Sequence, residues 1–454
     1  MINYILDNNN KYIYISIDYE SKNQHNQTSN NKIQKYNETF SLKQNIKIIE
    51  RETDLIIDDT IIRYIACFVL GIIGNKIGFT NGFIVHTSSD EKIQLNRSIL
   101  ENEIFIKIII LMNSFIFNGG MTNFNLEHFT YSHDIILLLC NLITLTNKYD
   151  NINELIKNTF NKYTDIFKND KILFDKYSSI NIDQSNKKNI ENINKIKSSI
   201  LWKKNNYNYK DNKSIGITRS IVYGLAFHSS SNLDKLIKTS IDTCAITNIN
   251  GIAFLGSFTI ALFTSYAIQN INCYKWGFEL LTILNTKNNP VDSYILQNYN
   301  NIYEFYLKDK AIFVDKFSSY LEDNFINYEY LFEAPKNNDN LTRSLYYYEN
   351  FSNNKKIYNP GACIDESIII AYDTFLLSQN NFEKLIYSLL IIGETSIISI
   401  IACNFYGAYF GFNNVISNFI MPNSSNDNLI NNILENNNLI DIIYLFFKKY
   451  YNNK

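Results

Sequence analysis

The sequence predicts an all-α fold, a compact multi-helix domain that follows a short N-terminal extension. Only 4 of the 454 residues are proline, which is a poor composition for a loop-rich β fold and a comfortable one for helices. Apolar stretches of helical length recur along the chain from residue 58 onward. Hydrophobic residues make up 46% of the chain, which is enough to bury a large core.

The individual helices are predicted from apolar periodicity and from the residues that begin and end each stretch. Asp58 or Asp59 is a suitable N-cap for the first helix, and a glycine-spaced loop over 74–82 is expected to end it. The predicted helices are 61–73, 103–116, 134–146, 151–167, 217–227, 233–243, 251–268, 276–284, 293–325, 366–377, 382–392, 396–412 and 429–450.

The chain divides into an extension, residues 1–55, and an all-α domain, residues 56–454. Within the extension, residues 11–17 alternate in polarity like a strand, and the polar tract 21–47 is expected to be a mobile linker. A second low-complexity segment, rich in Asn, Lys and Ser, forms an insert at 181–213 in the domain.

Charge and cysteine usage narrow the function classes. The 42 Lys and Arg nearly balance the 44 Asp and Glu, so a basic nucleic-acid-binding surface is not expected.

The chain holds 70 Asn and 74 Ile, an excess typical of an AT-rich coding sequence, so asparagine runs are weak evidence for function. None of the six cysteines forms a C-x-x-C pair, which predicts reduced core thiols and a cytoplasmic location.

Two apolar runs, 251–268 and 385–412, are long enough to span a membrane. Both contain many Gly, Ala, Ser and Thr residues, and both lack basic flanks and aromatic belts. Fully buried central helices are therefore favoured over membrane spans, although an all-α membrane protein stays an alternative.

Five segments carry an ordered set of short motifs. They are 63–82, Tyr131–Ile135, Ile215–Leu225, 233–268 and a C-terminal pair formed by Ile370–Asp373 and Ile392–Ser396. The first three resemble the G-D-A-L-G, S-D-D-T and G-A-A-M-R segments of the ADP-ribosylglycohydrolase family. The fourth follows the third closely, and the C-terminal pair resembles the family's M-I-A-Y-D and G-D-S-D-S/T segments. The resemblance covers roughly residues 58–420 and implies a compact soluble all-α protein.

The resemblance also implies a reaction and a site. Family members hydrolyse a glycosidic bond to ADP-ribose with two Mg²⁺ ions held between the S-D-D-T and G-D-S-D segments. The metal positions implied here are Ser132, Asp134, Glu394 and Ser396. The positions implied for binding the ADP-ribose group are Gly74, Asn75, Gly78, Asn81, Gly82 and Arg219.

This chain departs from the family pattern at the metal motifs themselves. His133 and Ile135 replace an Asp and a Thr of S-D-D-T, and Glu394 and Ser396 replace the two Asp of G-D-S-D. Ile397 replaces the last hydroxyl residue, and an isoleucine offers a metal no ligand oxygen. The Mg²⁺ site is therefore expected to be weak or lost.

Each remaining candidate also has a structural interpretation. Asp134 suits the start of a helix, and Arg219 suits a buried structural role, as well as a ligand role. Asp365 and Glu366 are either replacement acids near the cleft or a surface N-cap of the helix that they begin. Asp134, Glu394 and Glu366 are the residual catalytic candidates.

The leading hypothesis is a catalytically degenerate relative that binds ADP-ribose or an ADP-ribosylated protein, without nucleic acid or membrane, and as a monomer. The alternative is an active Mg²⁺-dependent hydrolase that removes ADP-ribose from arginine or a similar linkage on proteins. In that alternative, Asp134 and Glu394 are metal ligands, assisted by Asp365 or Glu366.

Overall fold

The architecture was analysed in a computed structural model. The structure describes residues 13–17, 46–50, 59–86, 97–117, 119–120, 133–169, 206–212, 216–324, 339–351, 360–415 and 439–451.

Helices dominate these ranges, and the predicted all-α fold is confirmed. The helices are α1 (Asp59–His86), α2 (Arg97–Phe117), α3 (His133–Thr146), α4 (Ile152–Asn169), α5 (Ile221–Ala226), α6 (Leu233–Cys244), α7 (Gly251–Ile268), α8 (Trp276–Asn285), α9 (Pro290–Asn298), α10 (Tyr303–Asn324), α11 (Asn340–Phe351), α12 (Ile364–Ser378), α13 (Phe382–Ser388), α14 (Thr395–Phe410) and α15 (Leu439–Tyr450). Short 3₁₀ turns include Tyr209–Asn212 and Thr218–Ser220.

Two strands lie in the N-terminal extension. The predicted strand is present as β1 (Ile13–Ile17), and it pairs antiparallel with β2 (Ile46–Glu50). Strand β2 includes the last two residues of the tract that was expected to be a linker, because Ile46, Ile48 and Ile49 restore strand-like apolar content. Residues 21–45 of that tract lie outside the described residues, as does 181–205 of the predicted insert.

Helix α7 is the central element of the core. All its residues except Tyr266 are buried, and it packs against α5, α6, α10, α12 and α14. Asn250 begins it, because its side-chain oxygen accepts hydrogen bonds from the amides of Ile252 and Ala253. At the other end, Arg63 of α1 donates to the carbonyls of Ala267 and Ile268.

An aromatic cluster joins α7 to α8, α12 and α14. The ring of Trp276 stacks on Phe375 at 5.2 Å between centroids and meets Phe405 edge-on at 5.7 Å. Phe263 and Tyr372 complete the cluster, with their ring centroids 5.0 Å apart. Such pairs add stabilisation beyond the apolar area that they bury.

Helices α1 and α7 each contain a segment long and apolar enough to cross a membrane, Asp59–Gly78 and Gly251–Ile268. Within the fold, 78% and 94% of these segments are buried against other helices. Packing in the core of a large helical domain therefore accounts for their composition. The second run noted in the sequence, 385–412, is divided between α13 and α14.

The prediction of a glycine-spaced loop at 74–82 is wrong, because these residues belong to α1, which continues as a helix to His86. Glycine here allows two helix backbones to touch. A Cβ atom on Gly74 would lie 2.5 Å from the carbonyl oxygen of Ser399 and 2.7 Å from Sγ of Cys403, both in α14. Gly78 faces the carbonyl of Thr395 in the same way, and Thr395 Oγ1 donates to the Gly78 carbonyl at 2.6 Å.

Other elements also differ from the sequence expectation. The single helix predicted over 293–325 is divided into α9 and α10 by an irregular residue, Tyr299, and a short 3₁₀ turn. Helix α11 was not predicted, because its sequence is polar and tyrosine-rich. It is held by buried Arg343, whose Nε donates to Asp373 at 3.0 Å and whose Nη1 donates to the Ser388 carbonyl at 2.7 Å.

The α1–α14 contact predicts the effect of adding one methyl group. We expect Gly74→Ala to lower the free energy of unfolding by about 1–3 kcal/mol, because its Cβ meets fixed backbone. Gly277→Ala in α8 is the matched control, since its Cβ would meet the movable Leu321 side chain at 3.0 Å. Urea unfolding of both variants measures the difference, and equal stabilities would contradict the close contact.

Candidate functional site

Asp134 lies in the first turn of α3 and is almost completely buried. The amide of Gly216 donates to its Oδ1 at 2.7 Å, and Thr218 Oγ1 donates to its main-chain carbonyl at 3.3 Å. Gly216 has a φ of +88°, a conformation that suits glycine and that turns the chain toward the start of α3. The segment that resembles G-A-A-M-R therefore holds Asp134 in place.

The charge of Glu394 acts on the carboxyl group of Asp134. Burial raises the pKa of Asp134 to about 6, against the lowering effects of the Gly216 amide and the Arg219 charge. The Glu394 carboxylate raises the pKa of Asp134 further. The two acids carried by separate motifs, about 260 residues apart in sequence, are thus brought within electrostatic reach of each other.

Glu394 is the N-cap residue of α14 and is half-buried. Its amide donates to the Pro360 carbonyl at 3.0 Å, which ties the start of α14 to the 360–363 segment. Gly393 has a φ of +138°, and a Cβ there would collide with the Pro360 carbonyl oxygen. Glycine is therefore required at this motif position for Glu394 to be presented.

The substituted motif positions offer no replacement oxygen. Ile135 and Ile397 are buried in the apolar core, and so is the neighbouring Ile398, which packs toward Gly361. Ser396 is half-buried in the first turn of α14. Of the predicted metal ligands, Asp134, Glu394 and Ser396 are thus described, whereas Ser132 lies outside the described residues.

The predicted nucleotide-binding residues of α1 do not form a loop. Gly74 and Gly78 face α14, and Asn75 is completely buried beside them. Asn81 and Gly82 also belong to α1. Backbone amides in the interior of a helix donate to the preceding turn, so these residues do not present the row of amides that a phosphate-binding loop requires.

Arg219 is completely buried. Its Nη2 donates to the Thr243 carbonyl at 3.0 Å and to Thr247 Oγ1, and its guanidinium lies 5.2 Å from the centroid of the Tyr163 ring. These contacts give it a structural role. It acts on the site through its charge, which favours the ionised form of Asp134.

A polar chain connects Arg219 to the loop at 206–212. Thr247 Oγ1 donates to Asn248 Oδ1 at 2.6 Å, and Asn248 Nδ2 donates to the Asp211 carbonyl at 2.8 Å. The buried Asp211 carboxylate accepts the Ile249 amide at 3.0 Å. Residues 206–212, at the end of the predicted low-complexity insert, are therefore held in the fold by hydrogen bonds. Asn212 Nδ2 continues the polar chain, since it lies 3.6 Å from Cys363 Sγ.

A second acid group lies at the start of α12. Asp365 and Glu366 are both buried, and Lys316 Nζ lies 2.6 Å from Asp365 Oδ2 and 3.1 Å from Glu366 Oε1. Glu366 is the N3 residue of a capping box whose N-cap is Cys363, so the expected N-cap at Asp365–Glu366 and its expected surface position are both wrong. The polar contacts with Lys316 and the amides of the 361–363 segment are what permit this burial.

Burial raises the pKa of Glu366 to about 7, against the lowering effect of Lys316. The neighbouring Asp365 charge adds to the rise. For Lys316, burial lowers the pKa, but the two carboxylates more than offset this effect and the net shift is upward.

The four acids do not converge on one metal centre. Among the described residues, the cluster of three or more His, Cys, Asp or Glu groups close enough to share an ion is Cys363, Asp365 and Glu366. Asp134 and Glu394 are outside it. Two adjacent Mg²⁺ ions need several carboxylates, so the described donor set of the Asp134–Glu394 pair does not fit a dinuclear magnesium centre.

Cys363 and Lys316 were missed in the sequence. The signal for Cys363 was its position immediately before a helix that begins Ile-Asp-Glu, which is an N-cap pattern. Lys316 gave no signal, because it lies about 50 residues from its partners and reaches them from α10.

The raised pKa of Asp134 predicts a pH-dependent stability. Because the folded state holds this proton up to pH about 6 and the unfolded chain loses it near pH 3.8, stability falls as the pH rises between these values. We expect Asp134→Asn to increase the free energy of unfolding by about 1–3 kcal/mol above pH 7 and to have little effect below pH 4. Asp234→Asn, which removes an exposed acid from the first turn of α6, is the control. Equal effects of Asp134→Asn at both pH values would contradict the assignment.

Two curated proteins show the similarity of this chain to known sequences. Putative ADP-ribosyl glycohydrolase L444 of Acanthamoeba polyphaga mimivirus is 32% identical over 220 residues, which cover 47% of this chain and 41% of the relative. ADP-ribosylhydrolase ARH1 of Dictyostelium discoideum is 31% identical over 218 residues, which cover 44% of this chain and 54% of the relative. The chain thus matches about half the length of each relative.

A solved structure titled "ADP-ribosylglycohydrolase-related protein complex" aligns with 86% of this chain and 98% of its own at a TM-score of 0.44 and 10% identity. The sequence model of the family described as ADP-ribosylglycohydrolase matches residues 58–430, which include α1 and the motif that precedes α14. The chain therefore belongs to the ADP-ribosylglycohydrolase family.

Proposed function

We propose that this protein is a catalytically degenerate ADP-ribosylglycohydrolase that binds ADP-ribose or an ADP-ribosylated protein without cleaving it. One observation carries the proposal. Ile135 and Ile397, which stand at two hydroxyl positions of the metal motifs, are both buried in the apolar core. Isoleucine has no oxygen, so neither side chain supplies a metal ligand in any rotamer. Of the two Mg²⁺ ions that family members hold, the second has therefore lost ligands in this chain.

The remaining polar groups support binding in preference to catalysis. Glu394 and Ser396 are half-exposed, whereas Asp134 is buried and interacts electrostatically with Arg219 and Glu394. Two partly exposed hydrogen-bonding groups thus accompany a buried acid. Hydroxyl groups of a ribose are suitable partners for such carboxylates.

The same donor set fits one weakly held Mg²⁺ ion at most. Mg²⁺ prefers octahedral oxygen coordination and keeps several waters when the protein supplies one or two carboxylates. Asp134, Glu394 and Ser396 would be its protein ligands, and the ion would supply charge for orienting a ligand hydroxyl.

One observation favours the alternative, an active hydrolase. A buried carboxyl whose pKa is about 6, as for Asp134, suits proton transfer near neutral pH. Hydrolysis of a glycosidic bond generally requires a second, well-placed carboxyl group, and Glu394 is the available one. Turnover measurements separate the two functions directly.

Calorimetry with ADP-ribose, with and without Mg²⁺, tests the proposal. We expect binding in both conditions and no release of ADP-ribose from ADP-ribosyl-arginine at saturating Mg²⁺. Glu394→Gln should weaken binding, whereas Glu383→Gln, which changes an exposed acid in the first turn of α13, should not. Turnover that requires Mg²⁺ and disappears in Asp134→Ala would overturn the proposal, and so would the absence of ADP-ribose binding.

Restoring the motif acids tests why the metal site is weak. We expect His133→Asp combined with Ser396→Asp to increase the thermal stabilisation that millimolar Mg²⁺ produces, because two carboxylates join the Asp134–Glu394 pair. Thermal unfolding of the wild type and of this double variant, each with and without Mg²⁺, gives the comparison. An unchanged response to Mg²⁺ would show that substitution of these acids is not the cause.

A further inference from the structure

We propose that Cys363, Asp365 and Glu366 form a binding site for a thiophilic divalent cation of the zinc class, which exchanges with the ammonium group of Lys316. The site lies at the N-terminus of α12 and is separate from the Asp134–Glu394 pair. It is independent of the proposed ADP-ribose function.

The first support is the geometry of three different donors. One ligand atom from each of Cys363, Asp365 and Glu366 lies within 4.8 Å of the other two. A tetrahedral zinc ion holds thiolate and carboxylate donors roughly 3.5 Å apart, so the three groups need to close by roughly 1 Å. They sit within four consecutive residues at a capped helix start, where small side-chain rotations achieve this movement.

The second support is an unsatisfied buried oxygen. Asp365 is completely buried, and within the described part of the chain its Oδ1 has no hydrogen-bond partner. Its Oδ2 is paired with Lys316 at 2.6 Å. A buried carboxylate oxygen without a partner costs free energy, and a bound ion or water is the usual explanation when a native structure keeps one.

The third support is the charge balance. Among the described residues, the charged groups in contact at the site are Asp365, Glu366 and the Lys316 ammonium, and Asn212 Nδ2 lies 3.6 Å from the Cys363 thiol. One positive charge therefore serves two carboxyl groups.

Donor chemistry selects the class of ion. A thiolate with two carboxylates suits Zn²⁺, whereas Mg²⁺ prefers oxygen donors alone. Lys316 occupies the position of a cation between the two carboxylates, and 13% of its side chain is exposed to solvent. Its ammonium group can turn toward solvent when a dication enters, and water completes the coordination.

Titration of the full-length chain with Zn²⁺ followed by calorimetry tests the site. We expect one Zn²⁺ ion per chain, and roughly tenfold or greater weakening in Cys363→Ser and in Asp365→Asn. Cys273→Ser, which removes a buried thiol elsewhere, is the matched control and should bind normally. Titration with Cd²⁺ should give the ultraviolet thiolate-to-metal band in the wild type and not in Cys363→Ser.

Lys316→Met gives a result that a purely structural ion pair does not predict. Removing the competing ammonium should tighten Zn²⁺ binding severalfold and increase the thermal stabilisation by Zn²⁺, even when the variant alone is less stable. Glu394→Gln should leave Zn²⁺ binding unchanged, so failure here is distinguishable from failure of the ADP-ribose proposal. Absence of stoichiometric Zn²⁺ binding, or an affinity unaffected by Cys363→Ser, would overturn the inference, as would weaker binding in Lys316→Met.

Discussion

Helices α1 and α14 touch backbone to backbone, and the position of Glu394 depends on that contact. At Gly74 and Gly78, α1 places no side chain of its own against α14, and the Thr395 hydroxyl in the first turn of α14 donates to the Gly78 carbonyl of α1. Because protein interiors are close-packed, displacing α1 by the width of a methyl group would also displace the start of α14. The glycine-rich segment of α1 therefore serves the site indirectly, by fixing the helix that carries the acidic motif.

The polar interior is organised around two acid groups that share one short connection. Asp134 interacts electrostatically with Glu394, which begins α14, and Asp365 and Glu366 both contact Lys316 at the start of α12. The 360–363 segment is bonded to both groups, since the Pro360 carbonyl accepts the Glu394 amide and the Gly361 amide donates to Glu366.

The sequence predicts the helices well where one stretch contains its own signals. Helix α7 has the predicted bounds because its cap, Asn250, and its apolar run are contiguous. The glycines of α1 were misinterpreted as a loop, since low helix propensity and close helix contact use the same residue. Asp134 and Glu394 were found from their motifs. The Lys316 pairing was not, because it is made between distant helices that no local pattern connects.

The glycine contact between α1 and α14 also bears on the history of the coding sequence. Every glycine codon begins with two guanines, whereas the amino-acid composition, with 74 isoleucines and 15 glycines, is that of a gene driven toward adenine and thymine. Four of those glycines, Gly71, Gly74, Gly78 and Gly407, lie where α1 meets α14. At the metal motifs, by contrast, Ile135 and Ile397 follow the bias. The residue that the composition disfavours thus stands where two helix backbones touch, and the residue that it favours stands at two motif positions that the proposed loss of catalysis leaves free to change.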